Sequence, residues 1–377
     1  MTSRDHTGEG QPVSGDRGDS GDATAAGPAS EKAGPPDDLA LGRVEAPAGP
    51  ETKRRNEALD VLKAVLILMV VFAHLVEHFS ANDPYYRAWY AAISLITIPL
   101  FVLLSGMFAG PLLSDADYRK LFSRLLLPLI CLQPLYLVLV QLYEGDAVRH
   151  LLDPQWMLWF LLSLCCWRLM MPLFVRIPAA LPVAVGITLA AGYAACIGPD
   201  LSLSRTLYFF PFFIAGYLWR QKILDLVARA RLLWGVLFVA LVAGVVVWSL
   251  HGLDNAVFYG SESYHQAAVW SAQPALGRLA MLLMSALALV GFMAITPRKS
   301  RWLARIGRRT LTIFVLHGFP VLVCYKLFNI VGWSRPSPAL TPVFMVLAVG
   351  IAWALSGLDG PFNRFFDWLA ARLSRRI

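Results

Sequence analysis

The stretch LDVLKAVLILMVVFAHLVEH, residues 59–78, decides how the chain is read. Its middle is a continuous apolar run, and a membrane-spanning helix needs about 20 such residues. Its ends break the pattern, with Asp60 and Lys63 near the start and His74, Glu77 and His78 near the finish. A charged group at the bilayer centre costs roughly 2.5–3.5 kcal/mol on insertion scales, so ionisable residues inside a span need a reason. Asp60 and Lys63 are three residues apart and can pair on one face. His74 lies about 21 Å further along the axis at ~1.5 Å per residue, and ~100° per residue returns it to within about 40° of the same face. His78 follows one turn later, with Glu77 beside it. One side of the helix thus carries ionisable groups from end to end, and such a side lines a cavity rather than lipid. Taken singly, Asp60 and Lys63 also read as a helix-end pair, and Glu77 and His78 as interfacial residues. His74 is harder to place that way, because apolar residues bracket it on both sides.

The composition agrees with a membrane setting. The 377 residues are 57% hydrophobic and only 15% charged, with a mean hydropathy of +0.57, against about a quarter charged in soluble domains. Ten apolar segments read as spans: 59–79, 89–109, 122–143, 157–175, 179–197, 204–219, 232–250, 271–295, 310–328 and 339–357. The expected fold is an all-α integral membrane protein with about ten transmembrane helices. The segment 204–219 is the weakest of them, being short and holding Pro211. Residues 1–54, rich in Gly, Ala, Pro, Asp and Ser, are expected to be a disordered cytoplasmic tail, since they have too little apolar surface to offset their ordering entropy. They contain no apolar core of a signal peptide. Residues 55–358 form the transmembrane domain, and 359–377 read as a basic amphipathic tail on the inner leaflet. The five cysteines lie in or beside apolar runs without metal or disulfide spacing, and packing accounts for them.

Charge distribution sets the orientation. Residues 1–50 hold nine acids and four bases, so the remainder carries +13 of the net +8. With the N-terminus inside, the inner segments hold 22 Lys and Arg, and the outer loops hold four: Arg87, Arg149, Arg205 and Arg335. That asymmetry follows the positive-inside rule, places both termini in the cytoplasm and suits a cell (inner or plasma) membrane. It also removes nucleic acid as a partner, because the bases are spread over six separate segments as topology demands.

Several motifs occur in a fixed order. LDVLKAVLILMVVFAH at 59–74 is followed by IPLFVLLSGMF at 98–108, RKLFSRLLLP at 119–128, LWFLLSL at 158–164, FFPFFIAGYL at 209–218 and IGRRTLTIFVLHG at 306–318. Together they resemble the membrane acyltransferase 3 family, whose opening motif runs Leu-Asp-x-x-Arg/Lys-Ala, an apolar stretch, then His. Lys63 and the LLSG wording are similar to the fucose 4-O-acetylase-like branch. Met107 stands where the family usually has an aromatic residue.

The resemblance implies transfer of an acyl group, commonly acetyl, from cytoplasmic acyl-CoA (acetyl-CoA as the default donor) to a hydroxyl. The implied acceptor is a carbohydrate, glycolipid or small metabolite, with membrane lipids around the protein. An imidazole can take the proton of an attacking hydroxyl near neutral pH, which makes His74 the general base, acting directly or through an acyl-histidine. His317 matches the family's late histidine and is placed with it, either aiding the acceptor or bonded to nearby backbone. Asp60, Lys63, Glu77 and His78 support the proton path. Arg119 and Arg124 are assigned to the CoA phosphates, with plain inner-loop topology as the other account. No metal is expected: His74 and His78 have i, i+4 spacing with Glu77 adjacent, but no third ligand is evident. Ser105 and Gly106 read as a close-packing spot between helices, and Trp156 and Trp159 as interfacial and packing residues. The competing class is a transporter or flippase for a sugar or lipid-linked glycan, which would move substrate without acyl-CoA.

Overall fold

The computed structural model describes residues 57–144, 153–194, 196–198, 200–252, 256–261, 263–264 and 273–374. The tail expected over residues 1–54 lies outside them. Among the described residues all regular structure is helical. Seven helices are long and apolar enough to cross a membrane: Glu57–Ser80, Pro84–Met107, Asp115–Tyr143, Arg231–Leu250, Pro274–Ile295, Thr310–Ile330 and Pro338–Ser356. The protein is a multi-pass membrane protein. Three of the ten predicted spans fall outside this set for a reason of length or composition. Leu158–Phe174 and Ala180–Ala191 have 17 and 12 residues, about 26 and 18 Å of helix against roughly 30 Å of hydrocarbon. The helix over the third, Leu203–Arg229, breaks at Trp219 (φ −119°, ψ 19°) and continues into a polar stretch.

Two helices lie at the centre. α1 (Glu57–Ser80) and α2 (Pro84–Met107) are the most enclosed spans, and α1 packs against α2 and the chain after residue 300. Their connection is short because the second starts cleanly: Asp83 caps it, accepting from Tyr85 N at 2.8 Å, and Pro84 begins it. The next segments are α3 (Asp115–Leu121), a π turn (Phe122–Leu126), α4 (Leu127–Glu144), α5 (Leu158–Phe174) and α6 (Ala180–Ala191). α7 (Leu203–Arg229) returns along α2, and α8 (Arg231–Leu250) turns a row of large apolar side chains outward, among them Leu232, Val236 and Val239. That is the face a lipid-exposed helix presents. The chain ends with α9 (Ala256–Tyr259), α10 (Pro274–Ile295), α11 (Arg301–Gly307), α12 (Thr310–Leu316), α13 (Gly318–Val331), α14 (Thr341–Ser356) and α15 (Asp359–Ser374).

Glycine allows the central approach. A Cβ on Gly106 of α2 would run into the Phe213 carbonyl of α7, and one on Gly216 of α7 into the Leu103 carbonyl of α2. Small residues let membrane helices come this close where apolar burial gives no drive for association. Ser105, next to Gly106, donates to its own helix at Phe101 O, 2.8 Å away.

α15 is an amphipathic helix as the tail sequence suggests, and protein contacts hold it. Thr312 Oγ1 donates to Asp359 at 2.7 Å, and Phe366 is buried.

Candidate active site

The ionisable residues of α1 separate into two groups. At the N-terminal end, Lys63 pairs with buried Asp60 at 2.7 Å and lies over the Phe108 ring. At the other end, His74, Glu77 and His78 line a cavity of about 480 Å³. Lys63 does not reach that cavity. The rings of Phe101, Phe160 and Phe314, with centroids 5.2–6.5 Å apart, line the cavity as well. The polar stripe drawn from the periodicity is therefore two clusters, of which one lines the cavity.

His74 sits in the cavity wall with its tautomer fixed by geometry. Its Nδ1 is 2.8 Å from Glu77 Oε2, one turn along the helix. A carboxylate accepts only, so Nδ1 carries a proton, and in the neutral imidazole Nε2 holds the lone pair. The imidazole is clamped by rings: Trp156 stacks on it at 5.6 Å and 29°, and His317 lies at 5.3 Å and 37°. Tyr325 reaches across from α13 and its hydroxyl donates to the His74 carbonyl. The same phenol ring lies 4.8 Å from His78, whose Nδ1 meets the Tyr143 hydroxyl at 2.8 Å.

His317 occupies the break between α12 and α13 and is fully buried. Its Nδ1 is 2.7 Å from Phe314 O and 3.2 Å from Ile313 O. Carbonyl oxygens only accept, so this nitrogen also carries the proton. Its Nε2 is buried and has no hydrogen-bond partner. His317 thus presents a buried Nε2 lone pair that no described donor satisfies, with its ring centroid 5.3 Å from that of His74. An unsatisfied buried acceptor costs about 1–3 kcal/mol, which is reasonable where a ligand hydroxyl completes the bond.

The cavity wall carries stored backbone strain. Trp156, whose indole holds His74, has φ +49°, and Leu201 and Ser202, just before α7, have φ +50° and +54°. These are the non-glycine residues with positive φ among those described. A non-glycine residue in this region costs on the order of 1–3 kcal/mol and persists only when its surroundings enforce it.

The two arginines assigned to phosphate sit elsewhere. Arg119 is exposed on α3. Arg124, in the π turn, is engaged: it pairs with Asp367 at 2.7 Å and donates to Asn363, both on α15. The cavity also contains residues the periodicity did not single out. Trp156 and Trp159 line it rather than serving only as packing. Arg205, counted as an outer-loop base, lines it too, as do Tyr90 and Tyr259. Among the described residues, no group of three His, Cys, Asp or Glu converges as a metal ligand set does.

Comparison with known families decides the identity. A model of an acyltransferase domain, acyltransferase 3, matches residues 56–357, about four-fifths of the chain. The chain belongs to the membrane acyltransferase 3 family. No curated protein and no solved structure matches it. The match begins at α1 and ends just past α14, so it includes His74, His78 and His317. The protein is accordingly a membrane acyltransferase.

Proposed function

We propose that the protein moves an acyl group, in the simplest case acetyl, from cytoplasmic acyl-CoA to a hydroxyl of a carbohydrate, glycolipid or small metabolite. The observation that carries this reading is the His74–Glu77 pair at 2.8 Å, facing a cavity with its Nε2 lone pair free. The acceptor oxygen attacks the thioester carbonyl, forming the new C–O bond, while its proton passes to His74 Nε2. Glu77 stabilises the imidazolium that results, as the carboxylate does in other base–orienter pairs. Collapse of the tetrahedral intermediate breaks the C–S bond, and the imidazolium returns the proton to the departing CoA thiolate. His317 Nε2 accepts a hydrogen bond from the acceptor and holds it beside His74.

The donor enters from the N-terminal end of α1, which the positive-inside asymmetry puts in the cytoplasm. Arg119 and Arg124 meet the CoA phosphates there. The distance suits the donor. Lys63 and His74 are 11 residues apart, about 16 Å along a helix. An extended pantetheine arm is equivalent to about four residues, roughly 14 Å at 3.3–3.6 Å each. Phosphates held near Lys63 therefore put the thioester within reach of His74, provided the Phe101, Phe160 and Phe314 rings part to admit the arm.

The test is CoA release from acetyl-CoA by detergent-purified protein supplied with a carbohydrate acceptor, in wild type and His74→Gln. The proposal requires acceptor-dependent release in wild type and its loss in the variant. Wild-type rates in His74→Gln would remove His74 from the base role, and sugar movement with no need for acyl-CoA would indicate a transporter.

A further inference from the structure

The acceptor end of the cavity contains a cation that the acyl-transfer chemistry above does not use. Arg205 lies in the first turn of α7 and lines the cavity. Its guanidinium sits over the Trp159 ring, 5.2 Å from the centroid. It makes no hydrogen bond or ion pair with any described residue. Asp153 and Glu77 act on it through space without forming an ion pair, and Glu77 already accepts a hydrogen bond from His74 Nδ1. A guanidinium has five N–H donors and cannot shed its charge. Leaving all five without a protein acceptor inside a membrane protein is costly unless something else accepts them.

The position is built rather than incidental. The residues on both sides of Arg205 are fastened. Ser204 Oγ donates to Gly260 O at 2.8 Å. Thr206 Oγ1 is bonded to Ser202 O at 2.8 Å and lies 2.7 Å from Ser163 Oγ, and its own carbonyl accepts from Trp167 Nε1 at 2.7 Å. The chain enters this turn through Leu201 and Ser202, both in the left-handed region. A strained entry and a buried polar net hold one arginine at a fixed point, the arrangement expected when a side chain must be pre-organised for a ligand. The positive end of the α7 dipole adds to the potential there. Stacking on Trp159 fixes the guanidinium without consuming its donors.

We infer that Arg205 is an anion receptor, and that the acceptor carries a carboxylate or a phosphate on the same molecule as the hydroxyl to be acylated. A cavity of about 480 Å³ is large enough for a sugar-sized unit. The aromatic walls supplied by Trp156 and Trp159 cover its faces, the guanidinium takes its acid group by paired charge-assisted hydrogen bonds, and the hydroxyl is left at the histidines. This specificity rests on the acyl-transfer reading for its purpose. The anion preference itself does not depend on that reading, and it is measured without acyl-CoA.

The experiment is equilibrium binding of three probes to the detergent-purified full chain by saturation-transfer NMR titration: methyl glucuronide, glucose 1-phosphate and methyl glucoside. Wild type should prefer at least one acidic probe over the neutral glucoside by about tenfold to a hundredfold, the range of a hydrogen bond to a charged group. Preference for the glucuronide assigns a carboxylate acceptor, and preference for the phosphate alone assigns a phosphoryl one. Arg205→Gln should erase the preference, whereas Arg205→Lys should retain part of it. Equal affinities for all three probes, or an undiminished preference in Arg205→Gln, overturn the inference. Acetyl transfer to the same probes is scored separately. A protein that binds acid sugars through Arg205 but never consumes acetyl-CoA keeps the anion site and loses the acyl-transfer reading.

Discussion

Replacing Glu77 by Gln tests the chemistry with little disturbance of shape. The amide oxygen of glutamine can still accept from His74 Nδ1, and the amide NH2 then takes the place of Oε1, 3.4 Å from the Tyr259 hydroxyl, to which it donates. What disappears is the negative charge opposite an imidazole that becomes positive during transfer. A hydrogen bond to a charged group contributes about 1.5–3 kcal/mol, equivalent to roughly 10–150-fold in rate. The side chains of His74 and Glu77 are 24% and 31% exposed, so water screens part of this interaction. The expected loss in kcat is toward the lower end, about tenfold to thirtyfold. KM for acetyl-CoA should hold, because Glu77 lies at the far end of α1 from the basic donor entrance. The assay is initial-rate CoA release at saturating acetyl-CoA and acceptor, with thermal unfolding of each preparation as a fold control. Glu77→Asp supplies the complementary case, keeping the charge but withdrawing it from Nδ1, and it should also lose rate. A Glu77→Gln enzyme within twofold of wild-type kcat, folded normally, would refute the claim that this carboxylate stabilises the imidazolium.

Other substitutions separate chemistry from packing. His317→Leu removes the unpartnered Nε2 while filling the space, and kcat should fall about a hundredfold or more, with thermal stability maintained or raised. If Arg124 binds CoA phosphate, Asp367 competes for it: Arg124→Ala should raise KM for acetyl-CoA and Asp367→Asn should lower it. A rise in both would make the pair a fastener for α15 alone. Gly307→Val places a Cβ against the Asp60 carbonyl and should lower stability by about 1–3 kcal/mol, read as a shift in thermal unfolding. Ser105→Ala removes only a bond to Phe101 O and should leave kcat within about twofold, whereas a nucleophile would lose nearly all activity.

Much of α1 was legible because the membrane makes ionisable residues conspicuous. An apolar run with His74 near its end pointed to a cavity, and His74, Glu77 and His78 do line one. The continuity of the stripe was not legible. Helical periodicity puts Lys63 and His74 on one side, but the cavity that His74 lines is closed by rings from α2, α5 and α12, and Lys63 is not among its lining residues. Helix length was overestimated for residues 179–197, where twelve helical residues were read as a full span. Arg205 was missed for a specific reason. Counting bases by loop treats an arginine at a helix start as topology, and only the folded α7 shows the guanidinium lining the cavity. Arg124 illustrates the opposite limit: its match to a phosphate-binding motif was readable, but its partner Asp367 lies 243 residues away.

The arrangement of costs argues for the site as strongly as the residues do. The structure retains a buried imidazole with an unmet Nε2, a tryptophan at positive φ, and a guanidinium without a protein acceptor. Each could be relieved by one substitution: a phenylalanine at 317, a glycine at 156, a leucine at 205. The first would return on the order of 1–3 kcal/mol, and the second would relieve a similar backbone cost only by giving up the ring stacked on His74. Scattered over the molecule, such features would be defects. Here Trp156 and Arg205 line one cavity, and His317 packs against His74 in its wall. The well-packed helices around it, joined by contacts such as Gly106 against Phe213, provide the rigidity that holds these groups in place. Groups held at such cost in and beside one cavity fit a ligand that completes them. The proposed acceptor answers both demands among the described residues: its acid group would accept from Arg205, and its hydroxyl would donate to a histidine Nε2.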